Sequence, residues 1–134
     1  MKTKLYLIPG VIIMALMLAA FQFVDQKPWN VPDSAKQKKN PTTKSADNVN
    51  IGKGLYSKHC KSCHGKEGLG DGPKAAELET FPGDFSTSEV QNQTDGSLFY
   101  KIMEGREDMP GFKSKVDQEE DVWLIVQYMR TLKE

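Results

Sequence analysis

The sequence is poor in cysteine and carries no excess of charge of either sign. Only two cysteines occur in 134 residues, which excludes a fold held together by several disulfide bonds. The 18 basic and 18 acidic side chains give a formal net charge of zero, whereas a nucleic-acid-binding protein normally carries a concentrated basic excess. We therefore expect no disulfide scaffold, and no nucleic acid as a partner.

Apolar residues are also scarce outside one N-terminal stretch. They make up 38% of the chain, but the run from Leu5 to Val24 is interrupted only by Pro9, Gly10 and Gln22, so the rest is unusually polar for a globular protein. No later segment alternates between apolar and polar residues as a half-buried strand does, which predicts an all-α domain. Another source of apolar contacts, besides aliphatic side chains, is therefore expected to fill its core.

The uncharged stretch over residues 5–24 predicts that residues 1–24 form a transmembrane anchor or a signal sequence. As a helix it spans roughly 30 Å, the thickness of the hydrocarbon core of a bilayer. Lys2 and Lys4 precede the stretch, which keeps the N-terminus cytoplasmic and places the remaining chain on the other side. A cleaved signal peptide is the alternative, although the apolar region of a signal peptide is usually shorter and no small-x-small cleavage site ends at Ala19 or Ala20.

Residues 25–48 have the composition of a flexible polar linker. They contain three prolines, five lysines and only four apolar residues, too few to fold alone. A flexible chain of this length has a root-mean-square reach of roughly 25 to 30 Å, so we expect a tether, with Trp29 at the membrane interface. The alternative is that Trp29 packs on the globular domain.

The remaining residues, 49–134, form one small domain with a C-x-x-C-H motif near its start, Cys60-Lys61-Ser62-Cys63-His64. This motif is typical of c-type haem attachment. On a helical turn Cys60 and Cys63 share a face, where their sulfurs form thioethers to the two haem vinyl groups, and His64 then points at the iron. We expect one covalently bound haem c.

Three other interpretations of the motif compete with haem. A thioredoxin-like dithiol would lie in a βαβ context, and no β-rich runs flank this one. A zinc site would need His59, Cys60, Cys63 and His64 as four tetrahedral ligands within six residues, without a second distant pair. Two structural cysteines beside an incidental histidine are the third alternative.

Residues 49–134 resemble the class I, single-haem c-type cytochromes of bacteria, of the membrane-anchored type. The resemblance rests on three runs in the family's order, Gly52-Lys-Gly-Leu-Tyr56, Cys60 to Pro73, and Asp108-Met109-Pro110-Gly-Phe112, followed by a helix from Trp123 to Leu132. It implies a small all-α class I cytochrome c fold, with crossing N- and C-terminal helices around the haem. In that crossing, Gly52 and Tyr56 would face Ile125 and Tyr128.

The family also implies a methionine as the second iron ligand and a proline that supports the histidine. Of the candidates Met103, Met109 and Met129, we expect Met109, because Pro110 and Gly111 place it in a loop. Met103 and Met129 lie in apolar helix patterns that favour core packing. Pro73 resembles the family's proline whose carbonyl accepts a hydrogen bond from the histidine Nδ1. The predicted iron ligands are therefore His64 and Met109, and the predicted cofactor-binding residues are Cys60, Cys63, His64, Pro73 and Met109.

A first and a last helix are expected in this domain, with loops and one or two short helices between them. Apolar patterns predict helices over residues 49–61, from Asp95 to Gly105, and over residues 117–133, the last beginning with Asp117 and Glu120 as an acidic capping box.

The resemblance implies electron transfer as the function, and not an enzymatic activity. The iron of a haem held by His64 and Met109 cycles between Fe(II) and Fe(III) with no coordination position open to a substrate. The implied partners are a quinol-oxidising complex as donor and a terminal oxidase or other reductase as acceptor, at the periplasmic face of the bacterial inner membrane. A gas sensor or peroxidase-like enzyme with a labile distal ligand, and a fixed subunit of a larger oxidoreductase, are the alternatives.

Overall fold

The computed structural model describes residues 27–115 and 118–133. Over these ranges the chain forms six α-helices and one 3-10 turn: α1 Asp33–Lys36, α2 Ala46–His59, α3 Lys61–His64, the 3-10 turn Ala75–Glu77, α4 Ser88–Gln91, α5 Asp95–Glu104 and α6 Glu119–Met129. The β-type pairing within the same ranges is limited to an isolated bridge between Arg106 and Met109. The prediction of an all-α domain is confirmed.

The two longest helices, α2 and α6, pack against each other, as predicted for the first and last helices of the domain. Gly52 makes this contact, because a Cβ atom there would clash with the carbonyl of Leu124. One turn later Tyr56 lies against Tyr128, with ring centroids 5.1 Å apart. The core around this contact is formed by the buried residues Tyr56, Leu98, Phe99, Ile102, Met103, Phe112, Val122, Trp123, Ile125, Val126, Tyr128 and Met129.

The helix bounds differ from the expected ones mainly at the caps. Helix α2 begins three residues early, because the Ser45 side chain accepts a hydrogen bond from the Asn48 backbone N–H and caps it. Helix α5 has the predicted bounds and is capped by Thr94. Helix α6 is shorter than predicted: its N-cap is Gln118, which makes no side-chain capping bond, and Asp117 of the proposed capping box lies outside the described residues.

Residues 27–45, which we call the N-terminal strap, lie against the helical domain. Val31 and Ala35 are 8% and 6% exposed, and helix α1 contacts helix α5. Asn40 donates a hydrogen bond to the Trp123 carbonyl at 3.0 Å. From helix α6 the buried Gln127 side chain donates to the carbonyls of Thr42 and Thr43. The structure therefore differs from the expectation of a flexible linker over these residues.

The predicted membrane segment, residues 5–24, lies outside the described residues. Over the part of the chain that the structure does describe, none of the helices has both the length and the apolar character needed to cross a bilayer.

Candidate functional site

Both cysteines and His64 lie where helix α2 ends and helix α3 begins. The Cys60 backbone N–H still donates to the Tyr56 carbonyl, while the Cys60 carbonyl accepts from the N–H groups of Cys63 and His64 at 3.2 and 3.0 Å. This single turn brings all three side chains to the wall of one cavity. Both cysteines are partly buried free thiols.

The cavity has a volume of about 730 Å³, within the range of small-molecule and cofactor sites. Apolar side chains from distant parts of the chain complete its lining, among them Leu98 and Ile102 of α5, Ile125 and Met129 of α6, and Phe112. The residues of the C-x-x-C-H motif therefore line an apolar chamber that is large enough for a cofactor.

His64 is held in the cavity wall as a neutral imidazole. Its ring stacks on Phe85 with centroids 4.6 Å apart. Burial lowers the pKa of His64 to about 4, and the backbone of Pro82 acts in the opposite direction. Its Nδ1 atom is nevertheless buried without a hydrogen-bond partner. A neutral imidazole is the form of histidine that binds metals.

Pro73, predicted to support His64, lies outside the wall of the cavity. It is exposed and is not among the residues that line the cavity, although Lys74 beside it donates a backbone hydrogen bond to the Ser62 carbonyl at 2.9 Å. Pro82, whose backbone opposes the lowering of the His64 pKa, does line the cavity. The role of Pro73 stays a prediction, and Pro82 was not singled out because eighteen residues of irregular chain separate it from His64 and no periodic pattern relates the two.

The thiol environment argues against a redox dithiol or a zinc site. Burial, followed by the nearby Cys63, raises the pKa of the Cys60 thiol to about 12, so it stays protonated. The reactive cysteine of a redox dithiol instead has a lowered pKa. Over the described residues, no three His, Cys, Asp or Glu side chains come together as metal ligands. His59, which the zinc alternative would need as a ligand, is half-buried and packs edge-on against Phe112.

Met109 lines the same cavity as His64, from the loop between α5 and α6. Reciprocal backbone hydrogen bonds of 2.8 Å join Met109 to Arg106 and close this loop into a tight turn. Gly105 and Glu107 have positive φ values of 69° and 52°, so the chain cannot continue the helix here. The structure thus brings Met109 and His64 to one chamber, from positions 45 residues apart in the numbering.

The other two methionines have different surroundings. Met103 is 8% exposed, belongs to the hydrophobic core and does not line the cavity. Met129 is 4% exposed and belongs to the core as expected, but it also lines the cavity. Its helical pattern gave no sign of the second role.

A carboxylate ties the Met109 loop to the segment that carries Pro82. Asp108 accepts hydrogen bonds from the backbone N–H groups of Glu79 and Thr80, at 2.8 and 3.4 Å. Asp108 and Thr80 also line the cavity. The segments that supply Met109 and Pro82 are therefore held together beside the chamber.

Residues 47–129, more than half of the chain, match the family described as cytochrome C oxidase, cbb3-type, subunit III. The chain belongs to this family. As a member of the cbb3-type subunit III family it has a cytochrome c domain, and the family implies haem c as its cofactor.

Two solved structures resemble this cytochrome c domain. One is a chain of the reducing HAO-like protein complex of Kuenenia stuttgartiensis, with 26% identity, a TM-score of 0.61, and coverage of 70% of this chain and 47% of the other. The present chain thus spans about half of the length of that neighbour. The other is the KustC0563 c-type cytochrome, with 32% identity, a TM-score of 0.53, and coverage of 62% of this chain and 98% of the other. A search of curated proteins finds no significant match.

The residues of this cytochrome c domain suit haem c. Two free thiols, a neutral imidazole with an orphaned Nδ1 and a thioether line one largely apolar cavity. Cys60 and Cys63 would hold the macrocycle, and His64 with Met109 would hold the iron. A haem bound here would also cover apolar side chains that otherwise face an open chamber.

Proposed function

We propose that the protein is a mono-haem c-type cytochrome that carries single electrons between extracytoplasmic or membrane-bound redox partners. The observation that carries this proposal is that His64 and Met109 line the same cavity as the two thiols of the C-x-x-C-H motif. Haem bound there supplies one-electron redox chemistry at its iron.

The roles of the residues follow from their chemistry. The thiols of Cys60 and Cys63 anchor the cofactor, and the neutral His64 offers a nitrogen lone pair to the iron. The Met109 sulfur, held by the turn with Arg106, offers a neutral second ligand that favours the reduced state. With two side chains on the iron no position stays open for a substrate, so the residues favour a carrier over an enzyme.

A fixed subunit of a larger oxidoreductase is the second candidate. One structural neighbour is a chain of a multi-component complex, and the family is named for a subunit of an oxidase. We propose quinol-oxidising and oxygen- or substrate-reducing complexes as donor and acceptor in either case. Isolation of a stoichiometric complex from membranes would favour the subunit, and purification as a single chain would favour the mobile carrier.

We further propose that residues 5–24 anchor the protein at the periplasmic face of a bacterial inner membrane. Because the strap packs on the domain from Lys27 onward, only Asp25 and Gln26 would separate such an anchor from it. The domain would then lie next to the bilayer and would not swing on a long tether. Mass spectrometry of the mature protein tests the anchor, since cleavage after the apolar stretch removes it, and the same measurement counts haems.

Replacing the proposed methionine ligand tests the function most directly. In the oxidised wild-type protein we expect a weak absorption band near the red end of the spectrum from the iron–sulfur bond, and slow carbon monoxide binding after reduction. Met109→Ala should abolish this band, lower the reduction potential and speed up carbon monoxide binding.

Met103→Ala is the matched control, because Met103 lies six residues away but in the core. It should lower stability by about 2–5 kcal/mol and leave the band in place. Loss of the band in Met103→Ala but not in Met109→Ala would contradict the ligand assignment. Rapid carbon monoxide binding by the wild-type protein would favour a sensor or enzyme.

A further inference from the structure

The strap side of the cavity contains a pair of cations that the C-x-x-C-H motif does not explain. A smaller basin of about 330 Å³ lies between the strap and helices α4 and α5. It shares five lining residues with the large cavity, namely Trp29, Glu89, Gln93, Lys101 and Arg106. The strap therefore reaches the edge of the cofactor chamber.

Both cations at this junction lie over the indole of Trp29. The Arg106 guanidinium carbon is 4.4 Å from the ring centroid and the Lys101 Nζ is 5.5 Å from it. Arg106 also donates a hydrogen bond of 2.5 Å to the Lys27 carbonyl. The strap thus fixes the position of Arg106 through both its backbone and an aromatic ring.

Within the described residues, Lys101 and Arg106 are partly buried cations with no close carboxylate partner: Glu89 makes no ion pair with Lys101, and Glu107 lies at the long limit from Arg106. The closest polar partner of Lys101 is the neutral amide oxygen of Gln93, at 2.7 Å. Burial, then the positive charge of Arg106, lowers the pKa of Lys101, and Glu89 opposes this only in part. Arg106 is paired with Glu107 at a long 3.7 Å. A partly buried cation without a close carboxylate is stabilised by a counter-charge at hydrogen-bond distance.

We propose that Lys101 and Arg106, held over Trp29, bind the two propionate carboxylates of the haem. This inference rests on the proposed function, because it requires haem in the cavity. The cofactor brings two negative groups on one edge, and this junction offers two cations at one end of the apolar chamber. Trp29 lies outside residues 47–129, so the strap supplies a part of the cofactor site that the family match does not include.

Two other cations line the large cavity and provide the competing location. Lys74 and Lys115 are exposed, and neither lines the basin beneath the strap. In water an exposed ion pair contributes little. A carboxylate beside the partly desolvated Lys101 and Arg106 gains more binding free energy from each charge-assisted hydrogen bond than one beside an exposed lysine.

The test compares the four cations in full-length protein with its haem bound. Lys101→Gln and Arg106→Gln should each lower the midpoint reduction potential, because a positive charge next to a haem carboxylate is lost. They should also shift the carboxylate stretching bands in redox-difference infrared spectra. Arg106→Lys keeps the positive charge, so its reduction potential and carboxylate bands should stay close to those of the wild-type protein. Lys74→Gln and Lys115→Gln should change neither.

The outcomes separate this proposal from the proposed function. If the carboxylate bands respond to Lys74→Gln or Lys115→Gln but not to Lys101→Gln and Arg106→Gln, the propionates lie elsewhere and this proposal is wrong. The proposed carrier function would still stand in that case, provided that the iron–sulfur absorption band is retained. Absence of covalent haem from the wild-type chain would overturn both proposals. Because the Arg106 side chain also donates to the Lys27 carbonyl of the strap, Lys101→Gln, which leaves that bond and the Met109 turn in place, is the decisive variant.

Discussion

At the residue scale, the absence of one side chain decides how closely the two main helices approach. Gly52 faces the carbonyl of Leu124, and the Tyr128 Cβ would lie 3.2 Å from a Cβ atom added at Gly52. The neighbouring Tyr56 is 1% exposed and donates a hydrogen bond of 2.8 Å from its hydroxyl to the Gly65 carbonyl. Helix α2 is thereby fixed to α6 on one side and to the start of the cofactor loop on the other.

Helix α2 contains a second glycine that serves as a matched control for this contact. Gly52→Ala should destabilise the protein by about 1–3 kcal/mol, because the added methyl group forces α2 and α6 apart. Gly54→Ala should stabilise it by about 0.5–1 kcal/mol, since nothing lies within 4 Å of a Cβ atom there and alanine favours the helix. Denaturant unfolding of the haem-loaded variants measures both changes in the free energy of unfolding. Equal changes in the two variants would contradict the close contact at Gly52.

The residues of the motif were predictable because their relation is local. Cys60, Cys63 and His64 lie within one helical turn, so sequence spacing alone brings them together. Met109 was identified from its own neighbours, Pro110 and Gly111, which exclude a helix. Pro82 was not predicted, because only the folded path of the irregular chain brings it to the wall of the cavity that His64 also lines.

At the scale of elements, irregular segments position the proposed distal ligand. Phe112 anchors one end of the Met109 loop, since its backbone N–H donates to the carbonyls of Ile102 and Met103, both at 3.1 Å. The Asp108 carboxylate joins the middle of the loop to residues 79 and 80. The loop is therefore attached at two points, to helix α5 and to the segment before Pro82.

Removing the second attachment should loosen the proposed iron–sulfur bond. Asp108→Ala leaves two backbone N–H groups without their acceptor, a loss of about 1–1.5 kcal/mol, so the detached state should become roughly tenfold more populated. The red absorption band should then disappear at a lower temperature on heating, and carbon monoxide should bind faster.

Asp84→Ala is the control for this variant. Asp84 accepts its hydrogen bonds from Ser86, within its own segment, and makes no bond to the Met109 loop. It should leave the temperature at which the band disappears nearly unchanged. If that temperature falls equally in both variants, the hydrogen bonds of Asp108 do not hold the loop in place.

The strap shows why composition misled the sequence-based expectation at this scale. Its few apolar residues are too sparse to form structure alone. Val31, just before helix α1, and Ala35, within it, are nevertheless buried, and α1 packs against α5, where Gly96 leaves room for the Ala35 carbonyl. Such packing depends on a partner surface far along the chain, which a composition count cannot detect.

At the scale of the whole molecule, the cavity explains the low apolar content. The core cluster is contributed mainly by α5 and α6, and much of the chain between Gly65 and Thr94 is irregular and only partly buried. A chamber of about 730 Å³ is large for a domain of this size. A cofactor filling it would supply the apolar contacts that the side chains do not, and would give the irregular segment a surface to pack on.

Blocking haem attachment should therefore unfold most of the domain. In the double variant Cys60→Ser and Cys63→Ser the thioethers cannot form, so we expect far-ultraviolet circular dichroism to show a large loss of helix and no cooperative melting transition. The single variant Cys63→Ser retains one thioether and should keep a folded, haem-containing fraction of lower stability. A haem-free double variant that is compact and melts cooperatively would show that the contact between α2 and α6 and the strap suffice to fold the chain without the cofactor.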